Sequence, residues 1–181
     1  MVARCGGEPL DLGIIPDRAS RIEKAIERAA GADILVTIGG ASVGDHDLVQ
    51  AAMQKCGVEI GFWKIAMRPG KPLMAGRLRD VPMIGLPGNP VSAMVCGTVF
   101  VVPVLHKMLG LPAVPATRVD MPLGVDLPAN GPREHYMRAF LSFGRGGQLM
   151  ADPAPDQDSS LIKPFVNSAG LLRRLPNADA R

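Results

Sequence analysis

The chain has little of what marks nucleic-acid-binding, secreted or membrane-spanning proteins. Its 20 Lys and Arg against 17 Asp and Glu give a formal net charge of only +3, whereas nucleic-acid binders carry a strong, clustered basic excess. The three cysteines lack CxxC or metal-ligand spacing, which favours reduced thiols in a cytoplasmic protein. The longest apolar run, 91–105, is shorter than the roughly 20 residues that span a bilayer. We expect neither nucleic acid nor a membrane as a partner.

What the sequence does contain indicates a globular protein rich in turns. Of the 181 residues, 47% are hydrophobic and 20% charged, enough apolar material for a buried core. Only 4% are aromatic, while Gly 21 and Pro 17 are abundant. The length allows one large domain, or one domain with a smaller one attached.

Helical and strand patterns alternate along the first two thirds of the chain. Helices are predicted over 17–31, 48–57 and 88–110, the last with Asn89 as its N-cap and a kink at Pro103. Strands are predicted over 33–38, 58–66 and 81–87. In the first two helices the residues predicted to face inward are Ile22, Ala25, Ile26, Ala29, Leu48, Val49, Ala52, Met53 and Cys56.

This alternation predicts an α/β domain over 1–114, with a mostly parallel sheet covered by helices on both faces. Beyond it, 115–181 is rich in Pro and Gly and contains the strand-like segment 135–143, which predicts a small all-β domain. Ligands of such parallel sheets bind at the carboxyl ends of the strands. The loops 39–47 and 86–92 both follow strands, so we expect them at one edge.

The loop "GGASVGDHD" has the glycines of an anion-binding turn. Gly39, Gly40 and Gly44 allow backbone N–H groups to point at a ligand. Asp45 and His46, however, stand where a P-loop needs Lys and Ser or Thr. The loop is therefore not a P-loop, and an ordinary tight strand-to-helix turn capped by Asp45 remains an alternative.

Two carboxylates beside an anion site make sense if a divalent cation lies between them. Mg²⁺ commonly binds one or two carboxylates together with substrate phosphates. Asp45 and Asp47 are thus candidate Mg²⁺ ligands, although helix capping explains Asp45 equally well.

Two further segments could complete an anion site. In "GLPGNPVSA" a rigid turn with Pro87 and Gly88 leads into a helix, with Ser92 in its first turn; an Asn-capped helix is the plainer alternative. The turn "MRPGKP" carries Arg68 and Lys71, which could be cationic partners of the anion or an ordinary solvated charge pair.

The motifs "GGASVGDHD", "FWKIAMRPGKP", "GLPGNPVSA" and "SSLIKPFVNSAGLLRRLP", in this order, resemble the molybdopterin molybdenumtransferases, the MoeA family to which the gephyrin E domain belongs. The resemblance runs from "LDLGIIPD" onward. It implies a three-layer αβα domain like that of MogA, followed by a β-barrel-like domain. It also implies an enzyme that hydrolyses adenylylated molybdopterin with Mg²⁺, inserts molybdenum from molybdate and releases AMP.

The resemblance also implies roles for individual residues. Asp47 and Asp45 would be catalytic and metal-binding. The pterin phosphate and adenylate would contact Gly39, Gly40, Ser42, Gly44, Pro87, Gly88, Asn89 and Ser92. Molybdate would contact Arg68, Lys71, Arg138, Ser159 and Ser160.

Members of this family are longer, which implies that the chain corresponds to the C-terminal part of the enzyme, without the strand that opens the α/β domain. The resemblance further implies a cytoplasmic homodimer and, as a possible partner, the adenylyltransferase that supplies the substrate. Two alternatives stay open: an enzyme like that adenylyltransferase, and an inactive or scaffolding ligand-binding fragment.

Overall fold

The computed structural model describes residues 1–40, 46–112 and 117–181, without the side chains of residues 46–50. The helices are α1 (Ala19–Arg28), α2 (His46–Lys55), α3 (Pro90–Cys96), α4 (Val102–Met108) and α5 (Ile162–Val166). The strands are β1 (Leu35–Ile38), β2 (Val58–Trp63), β3 (Met67–Arg68), β4 (Met74–Leu78), β5 (Val81–Leu86), β6 (Glu134–Phe143), β7 (Leu149–Pro153) and β8 (Gly170–Arg174). They form two four-stranded sheets.

The first sheet has the strand order β1-β5-β4-β2. Three of the four strands, β1, β5 and β2, run in the same direction, as the prediction of a mostly parallel sheet requires, whereas β4 is antiparallel to both of its neighbours. The sequence prediction did not include β4. This strand is reversed because a tight hairpin joins it to β5 through Arg79 and Asp80, and Arg79 adopts the positive φ of 55° that such turns require.

One face of this sheet packs against α1 and α2. The predicted positions Ile22, Ala25 and Ile26 of α1 are buried, as is Ala29 directly after it. Ala52 and Met53 of α2 join this cluster, with Cys56 partly buried. Met74 and Met83 face them from the sheet. Burial of each Ile or Met side chain contributes about 1.5–3 kcal/mol, so this cluster holds the two helices on the sheet. Leu48 and Val49 lie outside the described side chains.

The other face packs against the long helical segment Pro90–Met108. Ile84 and Leu86 face it, while Met83 points to the opposite face, as strand alternation requires. The segment is long and apolar enough to cross a bilayer by length and composition. Val91, Val95 and Cys96 are nevertheless at most 1% exposed in the second core cluster. It is therefore the core helix that the sequence predicted, and the αβα layering is confirmed.

The long helical segment is irregular just before Pro103. A π-helical stretch, Gly97–Val101, separates α3 from α4. Proline lacks the N–H that would bond to the carbonyl four residues earlier, and its ring crowds that carbonyl, which belongs to Val99. A widened π-helical turn thus precedes Pro103, and the kink at Pro103 stays a prediction.

The second sheet joins β3 of the α/β region to strands from the C-terminal third. β6 pairs parallel with β3 and antiparallel with β7 and β8. The strand predicted over 135–143 is confirmed as β6. This part also contains the short helix α5, which the expectation of an all-β domain did not include. The proposed boundary at 114/115 falls outside the described residues and stays a prediction.

Candidate anion-binding site

The loops after β1 and β5 meet at one edge of the first sheet, as predicted. The Gly39 N–H donates to the Leu86 carbonyl at 3.0 Å. A Cβ added to Gly88 would lie 3.4 Å from the Gly39 Cα, so the two backbones are nearly in contact. Gly39 and Gly40 have φ values of 89° and 70°, in the region that glycine adopts without strain. Glycine at these positions therefore permits both the turn and the close approach.

The cationic turn, defined as residues 64–73, is held by its own backbone and by the core. The Lys64 N–H donates to the Leu73 carbonyl at 2.9 Å, and the Leu73 N–H donates to the Gly70 carbonyl at 3.0 Å. Leu73 is only 1% exposed. Arg68 and Lys71 are exposed. The turn therefore presents Arg68 and Lys71 from a fixed backbone.

A cavity of about 900 Å³ lies between the cationic turn, the loop after β5 and the segment 156–159. Its lining residues are Met67, Arg68, Pro69, Gly70, Lys71, Pro72, Pro87, Gly88, Asn89, Ser92, Arg133, Asp156, Gln157, Asp158 and Ser159. Seven of them were predicted as site residues. Segments distant in sequence thus meet at one cavity large enough for a small-molecule ligand.

Three cations and two carboxylates line this cavity. Arg133 joins Arg68 and Lys71, and Asp156 and Asp158 oppose them. The Asp158 carboxylate accepts bonds from the backbone N–H and the hydroxyl of Ser160, both at 2.8 Å, which lowers its pKa. By formal charge, the three cations and two carboxylates give the lining a net charge of +1, which favours an anionic ligand.

Sequence reasoning missed Arg133 and placed Arg138 in the site instead. Arg138 is only 2% exposed and lies behind the cavity wall, where its guanidinium donates to the Asp156 carbonyl at 2.9 Å. Burial lowers its pKa, although Asp156 and Asp158 act in the opposite direction. Arg138 thus supports the acidic wall. The signal for Arg133 is its position one residue before β6, where pairing with β3 brings it beside the cationic turn.

The remaining predicted residues divide into three groups. Ser159 lines the cavity, whereas the Ser160 hydroxyl donates a hydrogen bond to the Asp158 carboxylate. Ser42, Gly44 and Asp45 lie outside the described residues. Asp47 belongs to the first turn of α2, but its side chain also lies outside the described part.

No metal site is found in the described part of the chain. Across 1–40, 51–112 and 117–181, where side chains are described, no group of three His, Cys, Asp or Glu side chains gathers as a potential metal site. The fit of Mg²⁺ to the carboxylates of Asp45 and Asp47 thus stays a prediction, and no chemical step is derived through it.

Asn89 occupies the N-cap position of α3, as predicted, but its side chain makes no capping bond. Its Oδ1 is buried without a hydrogen-bond partner among the described residues, at a wall of the cavity. An unpaired buried amide oxygen costs about 1–3 kcal/mol. Oxygen and nitrogen of an amide can exchange places by rotation. The Asn89 side chain is therefore free to accept from, or donate to, a ligand.

His135 lies in a cationic row beside the site. It is directly opposite Arg68 on β3 and Arg174 on β8. Burial, followed by repulsion from these and neighbouring arginines, lowers its pKa to about 4. At neutral pH His135 is therefore uncharged.

Family models match both parts of the chain. Residues 1–107 match the "Probable molybdopterin binding domain", and residues 120–180 match the "MoeA C-terminal region (domain IV)". These matches agree with the observed order of an αβα unit followed by a strand-rich unit.

Curated relatives extend the similarity over nearly the whole chain. The molybdopterin molybdenumtransferase of Haemophilus influenzae is 35% identical over 171 residues, 89% of this chain and 40% of the relative. The enzyme of the same name from Bacillus subtilis is 32% identical over 168 residues, 92% of this chain and 39% of the relative. The chain thus spans about two fifths of the length of these relatives.

A solved structure shows the same fold. The molybdopterin biosynthesis MoeA protein of Pyrococcus horikoshii superposes with a TM-score of 0.72 at 25% identity, covering 98% of this chain and 42% of that protein. Both sheets and their helices are therefore those of this fold.

Proposed function

Because the chain belongs to the MoeA family of molybdopterin molybdenumtransferases, we propose that it is the part of such an enzyme that binds molybdate. The observation that carries this proposal is the cavity that joins the cationic turn, the loop after β5 and Arg133. In the complete reaction, molybdate would be inserted into adenylylated molybdopterin and AMP would be released.

The chemistry of the lining suits a tetrahedral dianion. Guanidinium and ammonium groups donate charge-assisted hydrogen bonds, each worth about 1.5–3 kcal/mol. Ser92 and Ser159 add hydroxyl donors at two other walls. Asp156 and Asp158 reduce the positive charge of the lining, so that a bound anion can also dissociate.

The molybdopterin part of the substrate would bind at the loops after β1 and β5. Gly39 and Gly88 let these loops approach each other without side chains between them, and turns of this kind can point backbone N–H groups at a phosphate. We further propose that Asp47 and Asp45 act in adenylate hydrolysis with Mg²⁺, as the family resemblance implies. The chain would function in a cytoplasmic homodimer supplied by the adenylyltransferase.

The match of 120–180 to the MoeA C-terminal region favours this proposal over a function like that of the adenylyltransferase. The C-terminal part of the chain contributes to the cavity through Arg133, just before β6, and through 156–159, just after β7. The proposed site therefore requires both parts of the chain.

Calorimetric titration of the 181-residue chain with molybdate tests the proposal. We expect saturable binding that weakens with salt, because exposed cations provide much of the attraction. Lys71→Ala should raise the Kd for molybdate about tenfold, since it removes one cation from the lining. Perchlorate at equal ionic strength serves as the control monoanion. Absence of saturable molybdate binding by a folded chain would remove molybdate binding from the function of this part.

A further inference from the structure

Gly70 is the one buried residue between the two exposed cations of the turn, Arg68 and Lys71. Its φ of 115° lies in the region that favours glycine. A Cβ added at this position would overlap the Cys96 Sγ and lie 2.8 Å from the Met67 Cε. The sulfur of Cys96 therefore fills the space that a side chain of residue 70 would occupy, and the turn rests directly on it.

Cys96 belongs to the helix that forms the opposite wall of the cavity. It is the last residue of α3, one helical turn after Ser92, which lines the cavity. Its exposure is 0%, and burial raises the pKa of its thiol to about 12. A protonated, inaccessible thiol is chemically inert, so its contribution here is its volume.

The contact therefore joins the two walls of the cavity. The turn around Gly70 presents Arg68 and Lys71 on one side of the cavity, and the segment from Asn89 to Cys96 presents Asn89 and Ser92 on the other. Protein interiors are close-packed, and an added methyl group moves its neighbours by a fraction of an ångström or more. At Cys96 one such neighbour is the backbone of the cationic turn at Gly70.

We propose that Cys96 is a positioning residue whose size sets the distance between the cationic turn and α3, and through it the affinity of the cavity for a tetrahedral oxyanion. The proposal rests on the proposed function, and adds to it a residue that touches no ligand. Charge-assisted hydrogen bonds weaken steeply when donor and acceptor separate by more than a few tenths of an ångström. A displaced turn would thus lose affinity while keeping all its charges.

Cys96→Val and Val95→Leu provide a matched pair of variants. Both enlarge a completely buried side chain of the second core cluster by a similar volume, but the structure places only Cys96 against Gly70. Titration with molybdate should give a Kd about tenfold higher for Cys96→Val and within threefold of the original chain for Val95→Leu. Thermal unfolding checks that both variants are folded and similarly stable.

Amide chemical shifts give a readout that does not depend on molybdate. The Gly70 and Lys71 amide resonances should move in Cys96→Val and stay within the ordinary scatter in Val95→Leu. Unmoved Gly70 and Lys71 resonances in Cys96→Val, or equal losses of affinity in the two variants, would overturn the positioning role. Shifts that move as expected in a chain that binds no molybdate would support the contact and count against the proposed function instead.

Discussion

Arg133→Ala tests the electrostatic reasoning at the cavity most directly. The lining contains three cations and two carboxylates, and the variant lowers its net charge from +1 to zero. Arg133 is exposed, so a dielectric constant near that of water applies. Two unit charges about 4 Å apart then attract by about 1 kcal/mol, and a dianion doubles this to about 2 kcal/mol. We expect a Kd for molybdate about 30-fold higher at low salt.

Salt provides the internal check on this magnitude. The screening length falls from about 30 Å at 0.01 M salt to about 3 Å at 1 M. The ratio of Kd values between Arg133→Ala and the original chain should therefore shrink towards one at 1 M NaCl. Isothermal titration at both salt concentrations measures this ratio.

Arg145→Ala is the matched control, because it removes an equally exposed cation at the far end of the β6–β7 hairpin. At about 3.3 Å per residue, Arg145 is roughly 30 Å along the strand from Arg133 and about 20 Å from the part of the cavity wall next to Arg138. Its removal should change the Kd by less than twofold at physiological salt. If Arg133→Ala and Arg145→Ala raise the Kd for molybdate equally, affinity depends on the overall charge of the chain and not on the cavity, and the electrostatic reasoning is refuted.

Two further predictions concern stability. Gly76→Ala should lower the free energy of unfolding, measured by urea denaturation, by about 1–3 kcal/mol. The added Cβ would overlap the Glu59 carbonyl oxygen of β2 and lie 3.0 Å from the Ile60 Cα. Gly61→Ala is the control: its added Cβ would lie 3.5 Å from the nearest atom, so its free energy of unfolding should fall less. The pKa of His135 is about 4 in the folded chain, against an ordinary value of 6.5. Between pH 4 and pH 6.5 the unfolded chain therefore binds more protons than the folded chain, and the free energy of unfolding rises with pH. His135→Gln should reduce the slope of this rise by up to about 1.4 kcal/mol per pH unit.

Local sequence patterns predicted the helices and several strands, because the buried residues in these elements recur at the spacing of a helix or a strand. Ile22, Ala25 and Ile26 lie inward on α1 as their spacing requires. The antiparallel strand β4 could not be predicted in the same way. β4 is short and contains Gly76 and Arg77, so its sequence resembles a basic loop. Without β4 the antiparallel hairpin is lost, and the sheet is predicted without its one reversed strand.

The candidate site was predictable where a motif keeps its residues close in sequence. Arg68 and Lys71 share one turn, and Asn89 and Ser92 share one helix start, so each pair could be recognised alone. Arg133 could not, because its place in the cavity depends on pairing between β3 and β6, which are more than 60 residues apart. No periodic pattern encodes such a long-range pairing.

That pairing also explains why the cavity exists. After β2 the chain leaves the first sheet, contributes the two residues of β3 to the second sheet, and returns as β4. The cationic turn is therefore held on one side by β6, through Arg68 opposite His135, and on the other by α3, through Gly70 on Cys96. A turn fixed at both ends can present two like charges to one cavity, since the backbone cannot relax to separate them. The second sheet thus acts on the site through its backbone, and it places Arg133, the residue before β6, beside the cationic turn.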